Sequence, residues 1–158
     1  MMKKSFLAAV AGAAALQFAA TEAANTTAQF DVTISLTSAC TIGAIAAVDF
    51  VYTSGGVLAN STGGTFNVSC TNTMPYAFGL FAGTAGVTPP GTGTLTVTDA
   101  AVNLQYVLTA PTSGTGSGAN QAKTITGTMA AAQGGTCAAA TCTNSGSANK
   151  TQTLIVNF

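Results

Sequence analysis

Among 158 residues, few side chains are able to do chemistry, and their types limit it further. There is no histidine and no tryptophan, and four basic side chains balance four acidic ones. Without histidine, the commonest general base and the commonest nitrogen ligand for a metal are both missing. Serine and threonine are plentiful, but a Ser-His-Asp arrangement is impossible within the chain. A Ser-Lys pair would have to use Lys123 or Lys150, and each sits in polar sequence rather than the apolar pocket that activates a lysine nucleophile. Asp31, Asp49 and Asp99 are far apart and read as solvated strand edges and turns, not as a paired-carboxylate site. Gly83–Gly93 lacks the Gly-Lys-Thr ending of a phosphate loop and reads as a hairpin connection. Asn25, Asn60, Asn67 and Asn149 head glycosylation triplets, which arise readily by chance in a Thr-rich chain. Neither an enzyme, a metal nor a cofactor is expected.

The remaining reactive groups are four cysteines, and their reading depends on compartment. Lys3 and Lys4 precede an Ala-rich apolar run, Ser5 to Ala20, and Thr21-Glu22-Ala23 offers a small-residue cleavage site. That layout predicts a secretory signal peptide over 1–23, cut after Ala23 or alternatively Ala24. The run is too short and Ala-rich to span a bilayer comfortably, so no membrane association is expected after cleavage. In an oxidising compartment an even cysteine count is a disulfide framework with three possible connectivities. Local pairing of Cys137 with Cys142 is the simplest choice and leaves Cys40 with Cys70. A four-thiolate zinc site competes, but C-x4-C departs from the usual short knuckle spacing.

The chain is 47% hydrophobic and 5% charged, with a formal net charge of zero. Such a balance supplies no basic patch for nucleic acid. It also argues against disorder, because disordered chains are charge-rich and poor in apolar residues. Beyond the leader the periodicity is two rather than 3.6. Phe30, Val32, Ile34 and Leu36 alternate with Asp31, Thr33 and Ser35, as in a strand with one buried face. Further β-favouring runs are Val48–Tyr52, Thr65–Cys70, Tyr76–Phe81, Thr94–Thr98, Val102–Thr109, Lys123–Met129 and Thr153–Phe158. Turn residues separate them at Ser54-Gly55-Gly56, Ser61 to Gly64, Gly83 to Gly93 and Pro111 to Asn120. No helical periodicity is convincing, with one turn at most over Met129–Gln133. About seven short strands with intervening turns predict an antiparallel sandwich.

Two placements are unusual. The most regular alternation, Phe30–Leu36, directly precedes Cys40 and follows a polar stretch, Ala24–Gln29. The sequence also closes on Leu154-Ile155-Val156-Asn157-Phe158, an apolar strand with nothing after it to cover its edge. Exposed apolar edges are a liability that proteins either cover or use.

Several short motifs occur in order: Phe30-x-Val32-x-Ile34, Cys40-Thr41-Ile42, Val48-Asp49-Phe50, Val68-Ser69-Cys70-Thr71 with Pro75-Tyr76, Leu104-Gln105-Tyr106-Val107-Leu108, and Val156-Asn157-Phe158. As an ordered set following a signal peptide, they resemble the spore coat protein U family, in particular the major pilins of archaic chaperone–usher pili. The resemblance implies an all-β, incomplete immunoglobulin-like antiparallel β-sandwich completed by a donor strand from a neighbouring subunit, an instance of strand addition. It divides the chain into the leader 1–23, a donor-strand extension 24–36 and a sandwich domain 37–158. By position the donor side chains are Phe30, Val32, Ile34 and Leu36. The acceptor groove is edged by the last strand, with Leu154, Ile155, Val156 and Phe158. Family members join the cysteines at the positions of Cys40 and Cys70. The Cys137/Cys142 pair is not a family feature, and Val51 replaces a glycine common after Asp-Phe.

The implied partners are identical subunits head to tail, with a periplasmic chaperone and an outer-membrane usher during assembly. The implied function is a structural subunit of an extracellular, cell-surface fimbrium for adhesion and biofilm formation. Two alternatives are a self-complemented monomeric secreted coat or matrix protein of the same fold and a sugar-binding tip subunit. The second is weakened by the missing tryptophan and by the lack of room for a receptor-binding domain.

Overall fold

A computed structural model describes residues 26–84 and 90–158. The expected signal peptide and Asn25 lie outside the described residues, as does the stretch 85–89 within the expected Gly83–Gly93 turn. The chain divides into two units, Met1–Ser35 and Leu36–Phe158. In the first, the described residues 26–35 form no strand and are exposed.

The described residues of the second unit form twelve short strands: β1 (Cys40–Ile42), β2 (Val48–Asp49), β3 (Ala59–Asn60), β4 (Thr62–Gly63), β5 (Thr65–Cys70), β6 (Pro75–Ala82), β7 (Thr94–Thr98), β8 (Gln105–Thr109), β9 (Gly114–Thr115), β10 (Gln121–Thr124), β11 (Thr126–Met129) and β12 (Gln152–Asn157). They form sheets ordered β1-β5-β10, β3-β11-β8-β7 and β12-β6-β9, and a ribbon β2-β4. All eight of these strand pairings are antiparallel. The architecture is all-β and compatible with an immunoglobulin-like sandwich.

The period-two pattern explains the core. Every second residue of β5 turns inward, burying Phe66, Val68 and Cys70, and β6 does the same with Tyr76, Phe78 and Leu80. Val97 of β7, Tyr106 and Leu108 of β8, Ile125 and Met129 complete a single cluster. Phe66 meets Phe78 edge to face at 5.6 Å between ring centroids, a favoured aromatic geometry.

Where pairing departs from the sequence pattern, a local cause is visible. The run Lys123–Met129 is not one strand. β10 pairs with β5, β11 pairs with β8, and Ile125 between them turns into the core. The chain passes from one sheet to another at that corner, held where Ile125 N–H donates to the Gly64 carbonyl. Gly64 has φ +72°, and a Cβ there would lie 2.2 Å from the Ile125 carbonyl oxygen, so only glycine fits. Pairing of the Val102–Thr109 run begins only at Gln105, because Asn103 takes a left-handed turn conformation with φ 48°. Of Val48–Tyr52, only Val48–Asp49 pairs. Phe30–Leu36 forms no strand. A single strand with one apolar face is not stable without a partner, and no pairing reaches it among the described residues. β1, β3, β4 and β9 have two or three residues each, too short to announce themselves by alternation.

Asp99 corrects a second expectation. It is 2% exposed rather than solvated. Its Oδ1 accepts hydrogen bonds from the Ala101 and Val102 N–H groups at 2.8 and 3.2 Å, which shapes the β7–β8 turn. Oδ2 is buried without a hydrogen-bond partner. Desolvation by burial pushes the carboxyl up. It is outweighed by the two backbone N–H groups, with the polar side chains of Ser147 and Asn144 adding to them, and the net shift is downward.

Disulfides join Cys40 to Cys70 and Cys137 to Cys142. The first links residues directly opposite each other in the β1–β5 pairing and buries Cys70, whereas both members of the second are exposed. Two outcomes are expected. Cys40→Ser should lower stability by about 3–4 kcal/mol and Cys137→Ser by about 2, following the closed-loop lengths, when urea midpoints are compared; equal losses would contradict the ranking. The fold favours the ionised form of Asp99, so the stability it contributes is present above about pH 4 and lost as pH falls through its lower folded value. Stability measured from about pH 5 down to about pH 2 should therefore fall, and Asp99→Asn should flatten that slope. An unchanged slope would show that other carboxyls carry it.

Candidate functional site

The site is built on β12. One edge pairs with β6 along its whole length, from Gln152 opposite Ala82 to Asn157 opposite Ala77. Its other edge has no strand partner among the described residues. Other sheet edges are blunted in ordinary ways: β1, β3 and β9 are very short, β7 alternates with threonine, and β10 carries Lys123. β12 offers six residues with Leu154-Ile155-Val156 at the centre. Every residue of it is half-buried, and Leu154 and Val156 pack against the core without being enclosed by it.

A groove of about 730 Å³ opens beside the first half of this strand, Gln152 to Leu154. One wall is Thr151–Leu154, and the other is formed by residues 45–50. The floor reaches Leu80, Leu108, Ile125 and Met129, all members of the buried core. The groove is thus an opening into the sandwich interior. The far wall is fixed by backbone hydrogen bonds, Ala46 N–H to the Thr65 carbonyl and Gly64 N–H to the Ala47 carbonyl, while Phe50 stacks at a tilt on Tyr106 at 5.6 Å. Near the start of β12 the lining becomes polar, with Asp99, Thr143, Asn144 and Lys150. A smaller hollow of about 470 Å³ lies by the end of the strand, lined by Pro90 and Val156–Phe158.

The residues expected to edge an acceptor groove are therefore distributed unequally. Leu154 lines the larger groove, Val156 and Phe158 line the smaller hollow, and Ile155 lines neither. The opposing wall, Ile45 to Phe50, was not anticipated as part of a site. Its signal in the sequence was the apolar alternation of Val48 and Phe50, which reads equally well as an ordinary strand. The expected donor side chains Phe30, Val32, Ile34 and Leu36 are 85%, 72%, 86% and 81% exposed. Four large apolar side chains on alternate positions are left in water, and exposed apolar residues grouped in this way mark an interaction surface.

Chemically, β12 presents a row of unpaired backbone donors and acceptors above an apolar trough. That combination suits the addition of an extended peptide, with main-chain hydrogen bonds giving affinity and alternate side-chain pockets giving specificity. The two disulfides fit an oxidising compartment. No curated protein and no solved structure matches the chain. The family model of the Spore Coat Protein U domain matches residues 26–153, a span that takes in the exposed apolar ladder and both disulfides and ends at the second residue of β12. The chain belongs to the spore coat protein U domain family.

Proposed function

We propose that this protein is a pilin-like structural subunit that polymerises by donor-strand exchange. The ladder Phe30, Val32, Ile34 and Leu36 of one copy fills the groove beside β12 of the next. The observation that carries this reading is the pairing, within one sequence, of an exposed four-residue apolar ladder and an apolar groove along an unpaired strand edge. Their lengths agree: Phe30–Leu36 extends about 20 Å as a strand and β12 about 17 Å.

The energetics suit a permanent joint. Burying the four side chains contributes about 6–12 kcal/mol gross, before the cost of ordering the segment. Pairing along β12 adds main-chain hydrogen bonds. Donor and acceptor are different surfaces of the same chain, so the contact is heterologous and repeats head to tail into a filament rather than closing on itself. A nearly uncharged surface lets many copies pack without mutual repulsion.

On this reading the leader exports the chain through the periplasm, a chaperone covers the groove until an usher exchanges it for the next ladder, and the product is a cell-surface fimbrium serving adhesion and biofilm formation. Val32→Asp and Ile34→Asp should each abolish polymer while leaving the chaperone-bound subunit soluble, because a carboxylate would be driven into an apolar trough. Electron microscopy and size-exclusion chromatography of surface material would check this. Normal filaments from both variants would remove the ladder from the assembly.

A further inference from the structure

The donor-strand reading leaves one problem of specificity open. A one-residue slip of the inserted strand is forbidden, since it would turn every apolar side chain away from the trough. A two-residue slip keeps the same face inward. It merely shifts Phe30, Val32, Ile34 and Leu36 by one position each, and an apolar floor alone discriminates poorly among them.

The lining of the groove turns polar at one end. The segment that precedes β12 is closed into a six-residue ring by Cys137–Cys142, and Cys142, Thr143 and Asn144 line the groove beside the start of β12. This segment is tied at both ends to the β7–β8 connection, which lines the same part of the groove through Asp99, Val102 and Leu104. Ahead of the ring, Thr136 N–H donates to the Val102 carbonyl at 2.7 Å. Behind it, Asn149 donates from Nδ2 to the Thr98 carbonyl at 2.6 Å and accepts at Oδ1 from Ala100 N–H at 3.3 Å. Ser147, buried between these ties, donates to Asn149 Oδ1. The wall is polar where the floor is apolar, so an apolar side chain pushed against it would exchange hydrophobic contacts for Asn144, Lys150 and the buried Asp99.

We propose that the wall held by the Cys137–Cys142 ring, Cys142 to Asn144, is the end stop of the acceptor groove and fixes the register of the inserted strand by limiting how far its last apolar residue, Leu36, advances before the chain leaves the groove through Thr37 toward its own domain. This rests on the donor-strand reading above. Every strand pairing among the described residues is antiparallel, and a ladder added to β12 in the same sense brings its Leu36 end to the stop. The second disulfide then acts in assembly rather than in holding the core, which accords with its exposure.

The test uses the full chain carrying Ile34→Asp, so that its own ladder does not compete, and two synthetic peptides. One spans residues 26–37, and the other carries an extra Thr-Val pair after Leu36. The parent should bind the first at least tenfold more tightly. Cys137→Ser/Cys142→Ser should narrow that preference to under threefold while still binding the shorter peptide, which also shows that it folds. Asn144→Ala, which keeps both disulfides, should narrow it in the same direction. An undiminished preference in both variants would overturn the stop while leaving strand insertion intact. Failure of the parent to bind either peptide would overturn strand insertion and the stop with it.

Discussion

The rest of the molecule depends on one constraint: among the described residues β12 has a strand partner on only one side. β12 is paired to β6 over six residues, but its second edge has no strand partner among the described residues, and Leu154 borders a groove floored by the hydrophobic core. A sandwich usually spends its final strand closing such a gap. Here the remaining strands supply no cover, and the domain relies on other ties to keep the groove in shape. The Cys40–Cys70 bond pins β1 to β5, Gly64 and Ile125 lock the corner between sheets, and Asn149 fastens the segment leading into β12. Ile125 lines the groove itself, and the groove stands open in the chain without an added strand. Preformation lowers the ordering cost that an incoming strand must meet.

On the proposed reading, the composition follows from the same constraint. Threonine, serine and glycine fill the outer faces, and charged side chains are almost absent. A protein working as a lone soluble monomer gains solubility from charge, whereas a subunit stacked against copies of itself gains from its absence. The one buried charge among the described residues, Asp99, is handled locally by backbone N–H groups of its own turn, which makes it a structural carboxylate at the polar end of the groove.

The strands whose side chains alternate cleanly were legible from sequence. β5 and β7 occupy the expected spans, and β6 extends its expected span by a residue at each end, because Phe66, Val68, Phe78, Leu80, Leu95 and Val97 obey period two. The very short strands were not legible, since β3, β4 and β9 are held by neighbours rather than by their own pattern. The break at Ile125 was hidden because a buried isoleucine suits a strand and a sheet corner equally. Asp99 was misjudged for a related reason: an aspartate before a turn is normally solvated, and only the tertiary position of Ser147 and Asn144 encloses it. Of the site, one wall was visible in the terminal apolar run. The other wall, Ile45 to Phe50, and the disulfide-closed end are assembled from segments distant in sequence, and no local pattern announces that kind of juxtaposition.

The most direct measurement is denaturing gel electrophoresis of sheared cell-surface material, with unboiled and boiled samples side by side. Subunits joined by inserted strands are separated only by pulling a whole strand from its groove, a step with a high barrier at room temperature. A ladder of multimers that collapses to one monomer band only on boiling is the expected result. A single monomer band in both lanes would contradict strand exchange between subunits and would mean that the groove is closed within each chain.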